Sequence, residues 1–271
     1  MSKKRLIFTL IYSEGNYNLS RNFKLQKAGD LDWLKNNYDF SKISFSIDEL
    51  LILDASKNKK KSNNFFTDLN ALSSQCFVPI GAGGGIKNLN DAKMFFQNGA
   101  DKIILNSITF NDPKIIYDIS ERYGHQSICI SIDFKLIDEK YRVFINNGKD
   151  LIKLDLQSYL KKISNYPVGE IFLNSIDKDG TGQGLDTNVL DLIPENFKFP
   201  VILGGGGGKA SHLIDGLHDK RLSAVSTANL FNFIGDGLKV AREDIISANI
   251  DLPVWEYSIA EKFKNIFNFK K

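Results

Sequence analysis

Short runs of apolar, often β-branched residues recur along the chain, and each is followed by a turn and a stretch with helical periodicity. This alternation predicts strand, helix, strand, helix from end to end. The runs are apolar throughout, which is typical of parallel strands that are covered on both faces. Eight strands are predicted, at Arg5–Ile11, Glu49–Leu53, Val78–Ala82, Lys102–Leu105, Ser127–Ile132, Glu170–Asn174, Pro200–Leu203 and Ser223–Thr227.

The segments between the strands predict eight helices. Eight strand–helix units in about 250 residues fit an α/β fold of the closed (βα)8, or TIM-barrel, type better than a doubly wound open sheet. The predicted helices lie near Leu31–Phe45, Asn63–Ser74, Leu89–Asn98, Pro113–Tyr123, Leu154–Ser164, Thr187–Leu192, Ser211–Leu217 and Asp236–Ser247.

An internal repeat supports the barrel. The segment Val78–Gly85 is echoed by Pro200–Gly206, and the segment Asp48–Asp54 is echoed by Gly169–Ser175, both at an offset of about 121 residues. The first predicted strand also resembles the fifth. A repeat with this offset indicates two duplicated half-barrels of four units each.

Two segments depart from the repeat. Lys135–Gly148 predicts a hairpin inserted after the fifth strand, and Ser258–Lys271 combines basic and aromatic residues at roughly helical spacing. We therefore expect a barrel domain over residues 1–255 and a tail over residues 256–271. The tail is expected to be either a helix packed on the barrel or a helix that docks a partner.

Composition narrows the classes of function. The 271 residues are 42% hydrophobic and 25% charged with a formal net charge of +3, and basic residues are matched locally by acids, which argues against a nucleic-acid surface. No apolar run approaches the roughly 20 residues of a membrane span. Only Cys76 and Cys129 are present, which excludes a disulfide framework or a cysteine-based metal site. We expect a cytoplasmic protein with no membrane partner, no nucleic-acid partner, no cofactor and no metal.

Two glycine runs mark the carboxyl ends of equivalent strands, where function resides in a (βα)8 barrel. Gly83–Gly85 follows the third strand and Gly204–Gly208 follows the seventh, so each run can present backbone N–H groups to an anion. We expect two phosphate sites, and hence a ligand with a phosphate at each end; the alternative is turn geometry alone. The expected contacts are Gly84, Gly85, Asn106, Ser107, Asp179, Gly180, Thr181, Gly205, Gly206, Ala228 and Asn229.

Asp133 ends the fifth predicted strand at the barrel mouth, where a carboxylate can act as a general acid or base. The alternatives are an ion pair with Lys135 and a helix N-cap. Asp54 and Asp177 are further acids at the mouth, and spacing does not separate their roles. The chain has neither a Ser/His/Asp arrangement nor a cysteine suited to glutamine hydrolysis, so we do not expect it to release ammonia from glutamine itself.

Several motifs, in order from about Lys4 to Phe233, resemble the cyclase subunit of imidazole glycerol phosphate synthase. They are Lys4–Ile7, Asp48–Asp54, Gly83–Ile86, Gly99–Lys102, Gly124–Ser127, Ile132–Lys135 and Ser175–Thr181. The resemblance implies a (βα)8 fold with duplicated halves and a substrate that carries two phosphates. It also implies a heterodimer with a glutaminase subunit docked at the N-terminal face, from which ammonia passes through the barrel to the mouth.

The resemblance implies roles for individual residues. Four residues match a ring of alternating charges that gates the ammonia entrance, with a stabilising plug as the alternative: Arg5, Glu49, Lys102 and Glu170. One phosphate site is matched by Gly85, Asn106 and Ser107, and the other by Asp179, Gly180, Gly206 and Ala228. Asp133 matches one of two catalytic aspartates, whereas Ile11 occupies the position of the other.

Ile11 departs from the family pattern because an apolar side chain cannot exchange a proton, whereas cyclisation is thought to use two complementary carboxylates. In the first-strand loop Ser13–Ser20, Leu19 replaces a Lys of the family, and Asn174 replaces a Thr at the sixth strand. The pattern is similar to a paralogous branch associated with surface-polysaccharide and flagellin-glycan pathways. That branch is thought to provide ammonia to a separate sugar amidotransferase that builds an acetamidino group.

Three functions stay open. The first is an ammonia-channelling, cyclase-like subunit that feeds a sugar amidotransferase in surface-glycan biosynthesis. The second is a true imidazole glycerol phosphate synthase cyclase in histidine biosynthesis, in which Glu14 or Asp54 replaces the lost aspartate. The third is a scaffold without catalysis that binds a bisphosphorylated ligand and activates the glutaminase.

Overall fold

The apolar runs form strands and the segments between them form most of the predicted helices in the computed structural model, which describes residues 3–56 and 62–254. In chain order the strands are β1 (Arg5–Ser13), β2 (Asn16–Arg21), β3 (Lys24–Gly29), β4 (Glu49–Asp54), β5 (Ile80–Gly83), β6 (Lys102–Leu105), β7 (Ile128–Ile137), β8 (Lys140–Ile145), β9 (Asp150–Asp155), β10 (Glu170–Ser175), β11 (Val201–Gly204) and β12 (Ala224–Thr227). The α-helices are α1 (Leu31–Asn37), α2 (Ser62–Ser73), α3 (Leu89–Gln97), α4 (Ser107–Asn111), α5 (Lys114–Tyr123), α6 (Leu156–Ile163), α7 (Ala210–His218) and α8 (Gly237–Ser247).

Eight of the strands close into a parallel barrel. Neighbours pair in the order β1, β4, β5, β6, β7, β10, β11 and β12, and β12 pairs again with β1. Helices alternate with these strands along the chain. The predicted (βα)8 barrel is therefore confirmed.

The barrel wall has two faces, and β1 illustrates how the sequence fills them. Leu6, Phe8 and Leu10 point outward into the large core shared with the helices, whereas Ile7 belongs to a smaller cluster inside the barrel. The alternation follows from the two-residue period of a strand. Removing each such side chain from water stabilises the fold by about 1.5–3 kcal/mol.

Antiparallel strands extend two of the barrel strands beyond the wall. The hairpin predicted over Lys135–Gly148 is present as β7 and β8, but it continues into the unpredicted strand β9. The segment Ser13–Ser20 belongs to a second, unpredicted hairpin in which β2 pairs with both β1 and β3. Its turn residues Asn22 and Phe23 have φ values of 49° and 63°, as in the two-residue turns that fit twisted strands.

Two predicted helices are wrong in extent or type. Helix α1 ends at Asn37, well before the predicted end, because Tyr38 is extended and the carboxylate of Asp39 accepts hydrogen bonds from the N–H and hydroxyl of Ser41. Such local bonds compete with helical ones. The segment Thr187–Leu192 forms a 3-10 helix rather than an α-helix.

The described part of the chain ends at the N-terminal face of the barrel. Arg242 on α8 forms a buried ion pair with Asp48, with Nη2 and Oδ1 2.8 Å apart, and also donates to the carbonyl of Pro253. Asp48 accepts a further hydrogen bond from the N–H of Leu6 at 2.7 Å. These bonds fix residues close to the end of α8 against the starts of β1 and β4. The predicted tail over residues 256–271 lies outside the described residues.

Neither cysteine forms a disulfide. Cys76 and Cys129 are both buried and free, and burial raises the pKa of the Cys76 thiol to about 11. That thiol is therefore protonated at neutral pH. Within residues 3–56 and 62–254, no helix is long and apolar enough to cross a membrane.

Candidate functional site

Four charged side chains form a closed ring where the barrel strands begin. Arg5 on β1 contacts Glu49 on β4 and Glu170 on β10, with nitrogen–oxygen distances of 2.7 and 2.6 Å. Lys102 on β6 contacts the same two carboxylates and lies 2.9 Å from that of Glu49. Each acid thus bridges both cations. Burying any one of these charges alone would cost several kcal/mol, and the balanced ring offsets that cost.

The ring is largely buried. The side chain of Glu49 is 2% exposed and that of Lys102 is 14% exposed, whereas that of Arg5 is 24% exposed. At Glu170, burial is opposed by the nearby cations Lys102 and Arg5, which together hold its pKa below the ordinary value. The predicted ring residues are therefore brought together as one ionic network at the bottom of the barrel.

A layer of apolar side chains lies above the ring, because the next inward-facing residue of each ring-bearing strand is hydrophobic. Every member of this apolar layer is at most 5% exposed. Its members are Ile7, Leu51, Ile104, Cys129, Phe172, Ile202 and Ala224. One position further up, the hydroxyls of Thr9 and Ser226 are 2.6 Å apart. The interior therefore changes from charged to apolar to polar towards the mouth.

Asp133 lies on β7 near the mouth, where its side chain is almost fully buried. It accepts hydrogen bonds from the amide nitrogens of Asn106 and Asn174, at 2.9 and 3.5 Å. Burial raises the pKa of Asp133 to about 7, although the two amides act in the opposite direction. A carboxyl group with this pKa can donate or accept a proton near neutral pH.

The alternative roles suggested for Asp133 are wrong. Lys135 pairs with Asp177 instead, with a nitrogen–oxygen distance of 3.8 Å. Asp177 also accepts a hydrogen bond from the N–H of Leu136 at 2.9 Å, so this acid fixes the start of the β7–β8 hairpin. Asp133 itself lies within a strand and caps no helix.

Ile11 occupies the inward-facing position near the end of β1. It lies beside Leu53 of β4 in the sheet register, and its carbonyl oxygen is 3.4 Å from the amide nitrogen of Asn18. An apolar side chain therefore stands on β1 where Asp133 stands on β7. The structure provides one inward-facing carboxylate at these two positions.

Asp54 does not take the place of the missing acid, and Glu14 lies in the turn after β1. Asp54 follows the inward-facing Leu53 and so lies on the outer side of the wall, where its charge acts on the hydroxyl of Tyr12. Glu14 has a φ of 50° and begins the turn into β2, where its N–H donates to the hydroxyl of Ser56 at 2.9 Å.

Asp179, one of the expected phosphate contacts, holds the β2–β3 hairpin. Its carboxylate accepts hydrogen bonds from the hydroxyl of Ser20 and from the N–H of Phe23, the latter at 3.0 Å. The N–H of Asn22 donates to the Asp179 carbonyl at 3.0 Å. A methyl group on Gly180 would lie 1.9 Å from the carbonyl oxygen of Ser20. The hairpin that leaves β1 therefore lies directly on the loop after β10.

The β8–β9 turn approaches the mouth from the other side. The N–H of Asn146 donates to the hydroxyl of Ser107 at 2.9 Å, and that hydroxyl donates to Asn106 at 3.1 Å. A methyl group on Gly148 would lie 2.9 Å from the ring of Phe23 at the tip of the β2–β3 hairpin. The two hairpins therefore meet over the mouth.

Backbone geometry explains several glycines of the two runs. Gly84 has a φ of 125°, and a methyl group there would lie 2.2 Å from the carbonyl oxygen of Asp54. Gly206 has a φ of 96°, and a methyl group there would lie 2.1 Å from the carbonyl oxygen of Gly184. Gly205 is similarly close to Ser175. Turn geometry thus accounts for these positions, and phosphate binding by the runs, including Gly85, stays a prediction.

The loops after β11 and β12 lie side by side. The hydroxyl of Thr227 donates to the carbonyl of Gly207 at 2.7 Å, and the amide of Asn232 donates to the carbonyl of Gly208 at 2.8 Å. The side-chain oxygen of Asn229 accepts the N–H of Asn232 at 3.0 Å. The second glycine run is therefore adjacent to Ala228 and Asn229, as the second phosphate site requires.

Sequence reasoning missed one residue of the site. Asn174 stands out in the sequence only as a departure from the family pattern, whereas in the structure it is a donor to Asp133. The two-residue period of a strand predicts that Asn174 faces the barrel interior, because it lies four positions after the inward-facing Glu170. Among the described residues, no three His, Cys, Asp or Glu side chains are arranged to hold a metal ion.

Comparisons with known proteins agree with this architecture. The family described as “Histidine biosynthesis protein” matches residues 37–234. A protein of Parasynechococcus marenigrum (strain WH8102), provisionally named imidazole glycerol phosphate synthase subunit hisF2, is 46% identical over 90% of each chain. The imidazole glycerol phosphate synthase subunits HisF of Chlorobium phaeovibrioides and Hydrogenobaculum sp. are 32% and 34% identical, over 90% and 86% of this chain and 96% and 92% of their own. The chain therefore belongs to the histidine biosynthesis protein family, as a HisF-like subunit of the imidazole glycerol phosphate synthase type.

Proposed function

We propose that this chain is the synthase-side subunit of a two-subunit glutamine amidotransferase and that it conducts ammonia through its barrel. The observation that carries the proposal is the closed ring of Arg5, Glu49, Lys102 and Glu170 beneath a dry apolar layer. The relatives named as HisF subunits of imidazole glycerol phosphate synthase support a separate glutaminase partner. That partner docks at the N-terminal face and delivers ammonia to the ring.

The apolar interior favours the passage of a neutral molecule over that of an ion. Moving an ion from water into an apolar environment is far more costly than moving a small neutral molecule, so the apolar layer favours NH3 over NH4+. Phe172 is the largest side chain of that layer and sets the width of the passage. The ring below it closes the passage until a ring side chain moves.

The mouth binds a phosphorylated ligand in this proposal. The loops after β5 and β6 supply Gly84, Gly85, Asn106 and Ser107, and the loops after β10, β11 and β12 supply Gly180, Gly205, Gly206, Ala228 and Asn229. Successive backbone N–H groups in such loops favour an anion. The carboxylate of Asp179 contributes indirectly, because it holds the hairpin that covers this side of the mouth.

The ammonia is transferred to a different acceptor from the one that ordinary cyclases use. Asp133 is positioned to exchange protons, but Ile11 provides no complementary acid, and Asp54 lies on the outer side of the wall. We infer that a sugar amidotransferase of surface-glycan biosynthesis is the recipient. The support for this step is the loss of one acid beside an intact ring, together with the similarity to a relative provisionally named hisF2.

The second candidate is a cyclase of histidine biosynthesis. It is favoured by Asp133, whose pKa of about 7 suits proton transfer at neutral pH, and by the names of the HisF relatives. The scaffold alternative has no observation of its own beyond the glycine runs.

A turnover assay tests the cyclase. The phosphoribulosyl aminoimidazole carboxamide nucleotide is supplied with excess ammonium, and its consumption is measured as a loss of its absorbance. We expect no turnover by the unaltered chain and a gain in the Ile11→Asp variant, because that change restores a carboxylate opposite Asp133. Ile11→Asn is the matched control, since it is polar but cannot exchange a proton at neutral pH. Turnover by the unaltered chain that Asp133→Asn abolishes would establish the cyclase instead.

Ammonia leakage separates a conduit from a scaffold. With the glutaminase bound, Arg5→Ala opens the ring and is expected to release more free ammonia per glutamine hydrolysed. Lys161→Ala, at an exposed position on α6, is the control for the loss of a positive charge away from the ring. Equal leakage from the two variants would contradict the conduit.

A further inference from the structure

The β2–β3 hairpin, which lies over the mouth, carries positive charge without negative charge. Residues 16–29 contain Arg21, Lys24 and Lys27 but no Asp or Glu. All three side chains are exposed, and none forms an ion pair with a residue that the structure describes. The nearly even mixture of acids and bases along the whole chain therefore does not extend to this hairpin.

Two of these cations lie directly opposite each other. The strand register pairs Arg21 of β2 with Lys24 of β3, next to the two-residue turn. Like charges at directly opposite positions of an antiparallel pair destabilise it. An anionic group bound between the two side chains would replace this repulsion by two attractions. The stability of the free hairpin does not account for the pair, whereas an acidic partner does.

The outer strand of the hairpin also has a free edge. Within the part of the chain that the structure describes, β3 pairs with β2 alone. Residues 24–27 are all exposed, so both faces of the strand are open here, and Leu25 adds an apolar side chain that is 39% exposed. Lysines on an edge strand discourage pairing with other chains. The edge is therefore selective for a partner that carries acids.

The hairpin is held in a fixed position at the mouth. The carboxylate of Asp179 accepts two hydrogen bonds from it, and a methyl group on Gly29 at the end of β3 would lie 2.3 Å from the ring of Trp33. Trp33 contacts Phe231 edge-on, with a centroid distance of 5.9 Å, and Phe231 is 50% exposed in the loop after β12. The basic hairpin therefore continues onto an exposed aromatic side chain at the same end of the barrel. Arginine and aromatic side chains are enriched at protein interfaces.

The nearest acids along the chain do not neutralise the tip of the hairpin. Asp30 and Asp32 follow the far end of β3, and Asp30 caps α1 through the N–H of Trp33 at 3.0 Å. The sequence between β4 and α2 adds four lysines and no acid, at positions 57, 59, 60 and 61. Those lysines lie outside the described residues and are not part of the surface. The segment without acids is thus Arg21–Lys27.

We propose that Arg21, Lys24, Leu25, Lys27 and Phe231, which we call the outlet surface, dock an acidic surface of the enzyme that receives the ammonia. This inference rests on the proposed function, because a recipient exists only if the chain exports ammonia. Position argues for this occupant: ammonia leaves at the mouth, and a recipient that takes it without loss to solution must cover the mouth beside the hairpin. Charge selects the occupant further, since complementary charges speed association and exclude partners of the wrong sign. The glutaminase belongs to the opposite face in the proposed function.

A reconstituted transfer assay tests the outlet surface. The complex of this chain with its glutaminase is mixed with the sugar amidotransferase of the same organism, and the sugar product is measured with glutamine and, separately, with ammonium chloride. Arg21→Glu combined with Lys24→Glu reverses the charge but keeps two like charges opposite each other. We expect this variant to bind the amidotransferase about thirtyfold more weakly and to lower the glutamine-dependent product about tenfold. Glutaminase activity and the ammonium-dependent product should not change.

Two further variants separate docking from folding and from general charge effects. Arg21→Gln combined with Lys24→Gln removes the repulsion, so it should weaken docking without lowering the hydrogen-exchange protection of β2 and β3. Lys93→Glu combined with Lys161→Glu changes two exposed lysines on α3 and α6 and should leave docking unaltered. Because exposed charges are screened by salt, the affinity of the unaltered complex should fall about tenfold between about 50 and 300 mM salt.

The outcomes distinguish this inference from the proposed function. Equal affinity and equal product for the hairpin variants and the Lys93/Lys161 control would overturn the outlet surface and leave the proposed function intact. If the unaltered complex gives no more product from glutamine than the same amount of free ammonium gives, both are overturned. Self-association that the reversed charges abolish, without binding of the amidotransferase, would assign the surface to a second copy of the chain and would also overturn the inference.

Discussion

Asn106 donates a hydrogen bond of 2.9 Å from Nδ2 to Oδ2 of Asp133, across the neighbouring strands β6 and β7. The same amide nitrogen donates to the carbonyl of Ser131 at 3.0 Å, and the amide oxygen accepts the hydroxyl of Ser107. All of these bonds act on one side chain, so the orientation of the Asn106 amide is fixed. The carboxyl group of Asp133 is consequently held in place by neutral donors and not by a cation.

The burial of Asp133 predicts a pH-dependent cost in stability. Its pKa in the folded state is about 7, above the ordinary value of 3.8, so the folded protein binds this proton more tightly than the unfolded chain. The contribution of this group to stability is therefore present below about pH 4 and is lost as the pH rises to about 7. Asp133→Asn should equal the unaltered protein at pH 4 and exceed it by about 2–4 kcal/mol at pH 8.

Urea unfolding of the two proteins between pH 4 and 8 checks this expectation. Asp118→Asn, at an exposed position on α5, controls for the general effect of removing one negative charge. Parallel pH profiles for Asp133→Asn and the unaltered protein would mean that Asp133 titrates normally in the folded state.

The ionic ring predicts a large loss of stability when one acid is neutralised. Glu49→Gln leaves Arg5 and Lys102 buried with a single carboxylate, which should cost about 3–5 kcal/mol in the free energy of unfolding. Asp191→Asn breaks the exposed ion pair with Arg221 and should cost less than about 1 kcal/mol. Denaturation midpoints at constant pH compare the two, and similar values would show that the ring does not behave as one network.

The contact between Gly180 and Ser20 predicts that Gly180→Ala releases the β2–β3 hairpin. Its φ of 67° is unfavourable for alanine, and the added methyl group would collide with the Ser20 carbonyl. Gly182 has a similar φ of 63° but no atom within 4 Å of an added methyl group, so Gly182→Ala carries the backbone strain alone. Hydrogen exchange should be faster in β2 and β3 for the Gly180 variant only. Equal protection of β2 and β3 in both variants would show that the contact between Gly180 and Ser20 does not hold the hairpin.

The apolar layer predicts that Phe172→Ala opens the barrel interior. Phe172 is 2% exposed, and its removal should cost about 3–5 kcal/mol through lost burial and the cavity left behind. Phe77→Ala is the control, because the Phe77 side chain is 72% exposed. In the complex with the glutaminase, the Phe172 variant should also lose more ammonia to solution. An unchanged free energy of unfolding would mean that the neighbouring side chains collapse into the space.

The barrel strands can be predicted from the sequence because the patterns that indicate them are local. The eight apolar runs and the repeat of Asp48–Asp54 in Gly169–Ser175 place the strands within a few residues, and the strand period alone sends Arg5, Ile7, Thr9 and Ile11 to one side of the wall. The β2–β3 hairpin could not be predicted in this way, because its stability depends on Asp179, which is distant in sequence. The Asp179 carboxylate accepts hydrogen bonds from Ser20 and Phe23 only once the barrel has closed. The same holds for Asn174, whose role depends on the neighbouring strand.

The closed barrel also constrains how the chain can be made. Arg5 meets Glu170, and β1 pairs with β12, whose last residue is Thr227, so the first strand emerges from the ribosome long before its second neighbour exists. Until then the Arg5–Phe8 part of one edge of β1 has no partner, because β2 pairs only with its Ile11–Ser13 part. Unpaired edges are prone to join other chains. At about 5–20 residues per second, that interval lasts on the order of 10–40 seconds. The half-finished sheet therefore exposes this part of its edge during synthesis, and pairing with the last strand ends that exposure.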